Sequence, residues 1–100
     1  MGLLNSDIEE ALENLPDQIA DALESWRRST LEREKIEALC YLEYKGQDED
    51  RTSTEIRALV HSDSGRYTAV LDEIKAESNY NRLYERLMAM KKKADLRTAF

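Results

Sequence analysis

Three observations predict an all-α protein. The 100 residues contain only three Gly and one Pro, which leaves few sites for hairpin turns, while Glu, Lys, Arg, Leu and Ala are abundant and favour helix. Apolar residues recur three or four apart along two long stretches, as one face of a helix requires. Two capping-box patterns, Ser6-Asp-Ile-Glu9 and Thr52-Ser-Thr-Glu55, mark helix starts, because the hydroxyl can accept an unpaired first-turn amide. The resulting expectation is an antiparallel long-helix hairpin with short additional helices, forming a helical bundle or a coiled-coil-like oligomer. The length suits a single domain.

The elements follow in order. A short acidic helix is expected over residues 1–15, interrupted by Pro16, which cannot donate a backbone hydrogen bond. Proline suits a first helical turn, and Asp17 and Asp21 complement the positive end of the dipole, so a long helix is expected over residues 16–45. Gly46 would end it in a left-handed conformation. Its apolar positions include Ile19, Leu23, Trp26, Leu31, Ile36, Leu39 and Leu42, separated by the polar stretch Arg27 to Thr30, which gives an irregular seam rather than a strict heptad. The segment KGQDEDR (Lys45 to Arg51) is a charged turn. A short helix is expected over residues 52–61 with Ile56, Leu59 and Val60 as its buried stripe, then a connection at His61 to Gly65. A last long helix is expected over residues 64–97, where Tyr67, Val70, Leu71, Ile74, Tyr80, Leu83, Tyr84, Leu87 and Met90 recur at helical spacing.

Charge is distributed unevenly. Residues 1–24 carry seven acids and no base, whereas residues 81–100 carry six bases against Glu85 and Asp95, a local charge of +4 within a net −6. Opposite ends of this kind attract each other within a hairpin or between antiparallel subunits. A chain of this size buries only about two-thirds of its unfolded surface, so a long, thin helical form gains from a partner, and self-association as a homodimer or higher oligomer is expected. Trp26, Tyr41, Leu42, Tyr80, Tyr84 and Leu87 are the candidate contacts with another copy or an unidentified protein, since aromatic residues serve both cores and interfaces.

Catalytic chemistry finds little support. Metal binding needs converging ligands, and the chain has one His (His61) and one Cys (Cys40), with no paired Cys motif. The Asp48, Glu49, Asp50 cluster lacks the ligand order of a calcium loop. Cys40 sits between Leu39 and Tyr41 as a structural thiol, and the carboxylates alternate with bases at helical spacing, as in Glu32 with Lys35 and Arg33 with Glu37. No phosphate-cradling glycine loop occurs. The expectation is a non-enzymatic protein with no cofactor and no metal. The alternative is a nucleic-acid-associated factor, in which Arg82, Arg86, Lys91, Lys92, Lys93 and Arg97 follow a phosphate backbone and Tyr80 and Tyr84 stack on bases. A single cysteine, the lack of any long apolar run and an N-terminus unlike a secretion signal lead to the expectation of a cytoplasmic protein that does not enter membranes.

From Tyr41 onward, YLEYKG at Tyr41 to Gly46, RTSTEIRALV at Arg51 to Val60 and YNRLYERLMAMKKKADLRTAF at Tyr80 to Phe100 resemble small all-helical accessory proteins of bacteriophages and prophages. Those proteins place a turn of the YLE-x-KG kind after a long helix, then a short capped helix, then a long helix with a charged end. The resemblance implies an accessory factor acting in the host cytoplasm, with recombination or replication as the neighbouring process. It carries no catalytic motif, so no residue receives a role from it.

Overall fold

The computed structural model describes the backbone of residues 2–98 and the side-chain surroundings of residues 7–96. Three helices follow one another: α1 (Gly2–Gln47), α2 (Ser53–His61) and α3 (Ser64–Thr98). The 46 residues of α1 account for the long dimension of a body measuring 71 × 18 × 15 Å, since a helix rises about 1.5 Å per residue. Trp26 meets Tyr80 and Arg33 meets Glu73, while the start of α1 shares a groove with Arg86 and Lys93, so α1 and α3 run antiparallel. The all-α, long-helix hairpin expected from composition is the fold observed.

The interruption expected at Pro16 does not occur. Residues 1–15 and 16–45 were expected as two helices, but α1 passes through Pro16 as one. An internal proline costs about 3 kcal/mol through its missing donor and its clash with the carbonyl four residues back. Pro16 is exposed, whereas its neighbour Leu15 is only 2% exposed and shares a groove with Met90 of α3, so packing beside the proline holds the helix through it. The capping box expected at Ser6 therefore lies within a helix rather than before one, and the Ser6 side chain lies outside the described side chains.

Gly46 is also not a left-handed stop. It belongs to α1, and among the described residues no glycine has a positive φ. Side chains close the helix end instead: Arg51 Nη1 donates to the carbonyl of Tyr44 at 2.9 Å, and Lys45 Nζ to the carbonyls of Glu49 and Arg51 at 2.6 and 3.1 Å. A Cβ at Gly46 would meet nothing within 4 Å. Gly46→Ala is therefore expected to stabilise the protein by about 0.5–1 kcal/mol, measurable as a raised denaturation midpoint, because alanine restricts the unfolded chain at no steric cost here.

The short helix starts as its sequence predicts. Thr52 is extended at φ −76°, ψ 160°, and its Oγ1 accepts from the Glu55 amide at 3.2 Å. Ile56 is completely buried and Val60 is 8% exposed, which seats α2 against the long helices. The connection to α3 shrinks to Ser62 and Asp63, because Asp63 caps α3: its Oδ1 accepts from the amides of Gly65 and Arg66 at 2.9 and 3.3 Å.

The seam between α1 and α3 is regular in spacing. On α1, Leu12, Ile19, Trp26, Arg33 and Cys40 alternate with Ile8, Leu15, Ala22, Ser29 and Ile36, and every one of these side chains is at least partly buried. On α3, Arg66, Glu73, Tyr80, Leu87 and Ala94 alternate with Ala69, Ala76, Leu83 and Met90 in the same condition. Steps of three and four are the a and d positions of a heptad. The irregular seam expected from apolar residues alone is thus corrected: only the residue types are irregular, because Ser29, Arg33, Arg66 and Glu73 occupy seam positions.

Candidate interaction surface

The polar seam residues form a connected network. Arg33 Nε donates to Glu73 Oε2 at 2.9 Å across the hairpin, and its Nη1 donates to both Glu37 oxygens at 3.1 Å. Glu37 Oε1 also accepts from Arg66 Nε at 3.0 Å, and Arg66 Nη1 reaches the His61 carbonyl at 3.2 Å. One cluster therefore joins α1, the end of α2 and α3. Beside it, Tyr44 donates to Asp63 Oδ2 at 2.7 Å, fixing the α3 cap to the end of α1. Of this group only the Arg33–Glu37 spacing of four is legible in the sequence, since the other partners lie on different helices.

The network sets a direction for pH dependence. The hydrogen bond from Arg33 holds the Glu73 carboxyl below its ordinary value of 4.5. Burial pushes Glu37 upward, but its bonds to Arg66 and Arg33 outweigh this and leave it lowered. Tyr44, with help from the Arg66 amide, lowers Asp63 from 3.8. Depressed carboxyls contribute stability that is fully present above the unfolded values and lost as pH falls through the folded ones. The midpoint of urea unfolding is expected to be flat near neutral pH and to decline as pH drops below 4.5. Burial, followed by the Asp63 carboxylate, raises the Cys40 thiol, which keeps it neutral and opposes a nucleophilic role.

The two sides of the seam differ in chemistry. In an antiparallel pair, the positions just after d on both helices fall on one side and those just before a on the other. The second side carries Ala11, Gln18, Ser25, Glu32 and Leu39 on α1 with Asp72, Asn79, Arg86 and Lys93 on α3, so that Leu39, 55% exposed, is the large apolar residue among mostly polar ones. The first carries Pro16, Leu23 and Thr30 on α1 and Val70 and Tyr84 on α3, with Ile74 and Met88 beside them, and is bounded by Glu9 and Glu37 on α1 and interrupted on α3 by Glu77 before it ends at Lys91. Ile74 is 50% exposed, Tyr84 46% and Met88 38%. Leu23, Trp26, Arg27, Thr30 and Leu31 line an apolar groove there. Further along the same stripe, Glu34, Glu37, Ala38 and Tyr41 line a second groove with Arg57, Val60 and His61 of α2. Thus α2 covers one end of this apolar face and leaves the remainder open.

The candidate contact residues take different positions. Trp26 and Tyr80 meet at 5.5 Å between ring centroids, and Tyr80 stacks on Tyr84 at 6.2 Å. Leu87 is 8% exposed at a seam position, so it serves the hairpin core rather than an outside partner. Tyr41 donates to Ser53 Oγ at 3.4 Å, towards α2, while Leu42 is 66% exposed. Of the basic residues, Arg82 bonds Asn79 Oδ1 at 2.9 Å, and Arg86 and Lys93 line a groove with Asp7 and Glu10. Lys91 and Lys92 are exposed, and the side chain of Arg97 lies outside the described side chains. The acidic and basic ends are thereby brought side by side within one chain.

Among the described residues, no three His, Cys, Asp or Glu side chains are grouped to hold a metal ion, and no helix is long and apolar enough to cross a membrane. No family model, curated protein or solved structure matches the chain.

Proposed function

We propose that this chain is a non-enzymatic interaction protein that works through its helical faces, as an accessory factor of phage or prophage type. The observation that carries the reading is the apolar face beyond α2, along which Leu23 and Leu31 of α1 and Ile74, Tyr84 and Met88 of α3 are spread with no covering element among the described residues. Large exposed apolar patches on small proteins mark contact sites, since water-exposed apolar area costs about 25 cal/mol per Å² relative to burial. The resemblance from Tyr41 onward supports the phage assignment.

Titration with single- and double-stranded DNA at two salt concentrations tests this reading. No binding at low salt is expected, because Arg86 and Lys93 already lie beside Asp7 and Glu10. Binding that weakens steeply with salt, and that is abolished when Lys91, Lys92 and Lys93 are replaced by Glu, would establish a nucleic-acid factor instead.

A further inference from the structure

We infer that the open apolar face is the seat of a second copy of this chain, laid antiparallel on the first so that Leu23 meets Leu23 across a two-fold axis. The inference rests on the interaction reading above and names its partner.

Surface area is the first support. Folded monomers of 11.6 kDa expose about 5,800 Å² by the usual scaling, whereas this chain exposes 7627 Å². The difference is about 1,800 Å² per chain, which exceeds the roughly 800 Å² that each partner buries in an interface of standard size. Its radius of gyration is 21.3 Å against about 13 Å for a compact chain of this length. A second hairpin stacked on the apolar face doubles the thin dimension and makes a four-helix core from two single-seam hairpins.

Orientation follows from α2 and from charge. Because α2 already occupies this face beside Glu34 to Tyr41, a parallel partner would bring both α2 helices to the same end and hold the apolar faces apart. The antiparallel partner fits the part of α1 before Glu34, which α2 leaves free, and Leu23 is the large apolar residue that directly follows a seam position on this side of that part. In the antiparallel arrangement, Arg27 comes level with Ile19 of the other copy, within a turn of Asp17. Opposite charges then face each other at the rim, and Tyr84 comes close to its own counterpart near the axis.

Site-specific crosslinking and solution mass together decide the matter. In a Cys40→Ser background, Leu23→Cys is expected to form a disulfide-linked dimer under a mild oxidant, whereas Leu39→Cys, on the polar side of the seam, is expected to stay monomeric in a denaturing gel. In light scattering, the wild-type chain is expected at twice 11.6 kDa. Leu23→Asp, with helicity checked by circular dichroism, should weaken the dimer by about thirtyfold or more, as loss of a central apolar contact does. Tyr84→Glu provides a second variant if Leu23→Asp fails to fold. A dimer crosslinked through Leu39→Cys but not Leu23→Cys overturns the assignment of the face. A folded wild-type monomer overturns self-pairing and leaves the interaction reading standing, whereas salt-sensitive DNA binding removes that reading itself.

Discussion

Ile56→Ala is expected to release α2 from the hairpin while leaving α1 and α3 paired. Ile56 is the one large side chain buried completely among the described residues, and truncation of a buried isoleucine costs about 2–5 kcal/mol. Nine residues are too few to stay helical in water without packing, because the cost of nucleation is spread over too few bonds. The Thr52 cap offsets only about 1 kcal/mol. Hydrogen exchange should show fast exchange in α2 and retained protection around Leu15 to Trp26. Uniform loss of protection along the whole chain would mean that α2 is integral to the hairpin rather than docked upon it.

Arg33→Glu is expected to cause the other large loss. The arginine reaches Glu37 and Glu73 together, with side-chain exposures of 24% for Arg33, 29% for Glu37 and 19% for Glu73. Reversing its charge would set a third carboxylate beside Glu37 and Glu73, with Arg66 still bonded to Glu37 alone of the three. Removal of one partner from a buried ion pair costs 3–5 kcal/mol, and discounting for this partial exposure gives about 2–3 kcal/mol, or a melting temperature lowered by about 10–20 °C. Adding Glu73→Arg should restore part of the loss, since the cross-hairpin pair is then reversed rather than broken. By contrast, Arg28→Glu at the exposed pair with Glu24 should change stability by no more than about 1 kcal/mol.

The same residues explain how far the fold can be read from sequence. Composition and the Thr52 cap are enough to predict two long helices around a short one, because propensity and capping act locally. Pro16 misleads for a non-local reason: the local penalty is opposed by contacts of Leu15 with α3, which no nearby residue announces. Gly46 misleads similarly, since the helix end is closed by Arg51 and Lys45 after the chain has turned. The heptad was hidden because Arg33, Arg66 and Glu73 do not count as apolar, and only their pairing across the hairpin makes them acceptable in the seam. Of the contact candidates, Tyr84 lies on the open face and Trp26 at its edge, whereas Leu87 is spent on the core. Leu23, Ile74 and Met88 share a side only once α1 and α3 are known to be antiparallel.

The proposed division of the hairpin into a finished seam and an unfinished face has a direct thermodynamic consequence. If a second copy completes the core, unfolding is coupled to dissociation, and stability depends on chain concentration by mass action. The most direct measurement is the melting temperature of the wild-type chain over about a hundredfold range of concentration. A melting temperature that rises steadily with concentration is the expected result, and one that stays constant while the chain remains folded and monomeric would contradict it.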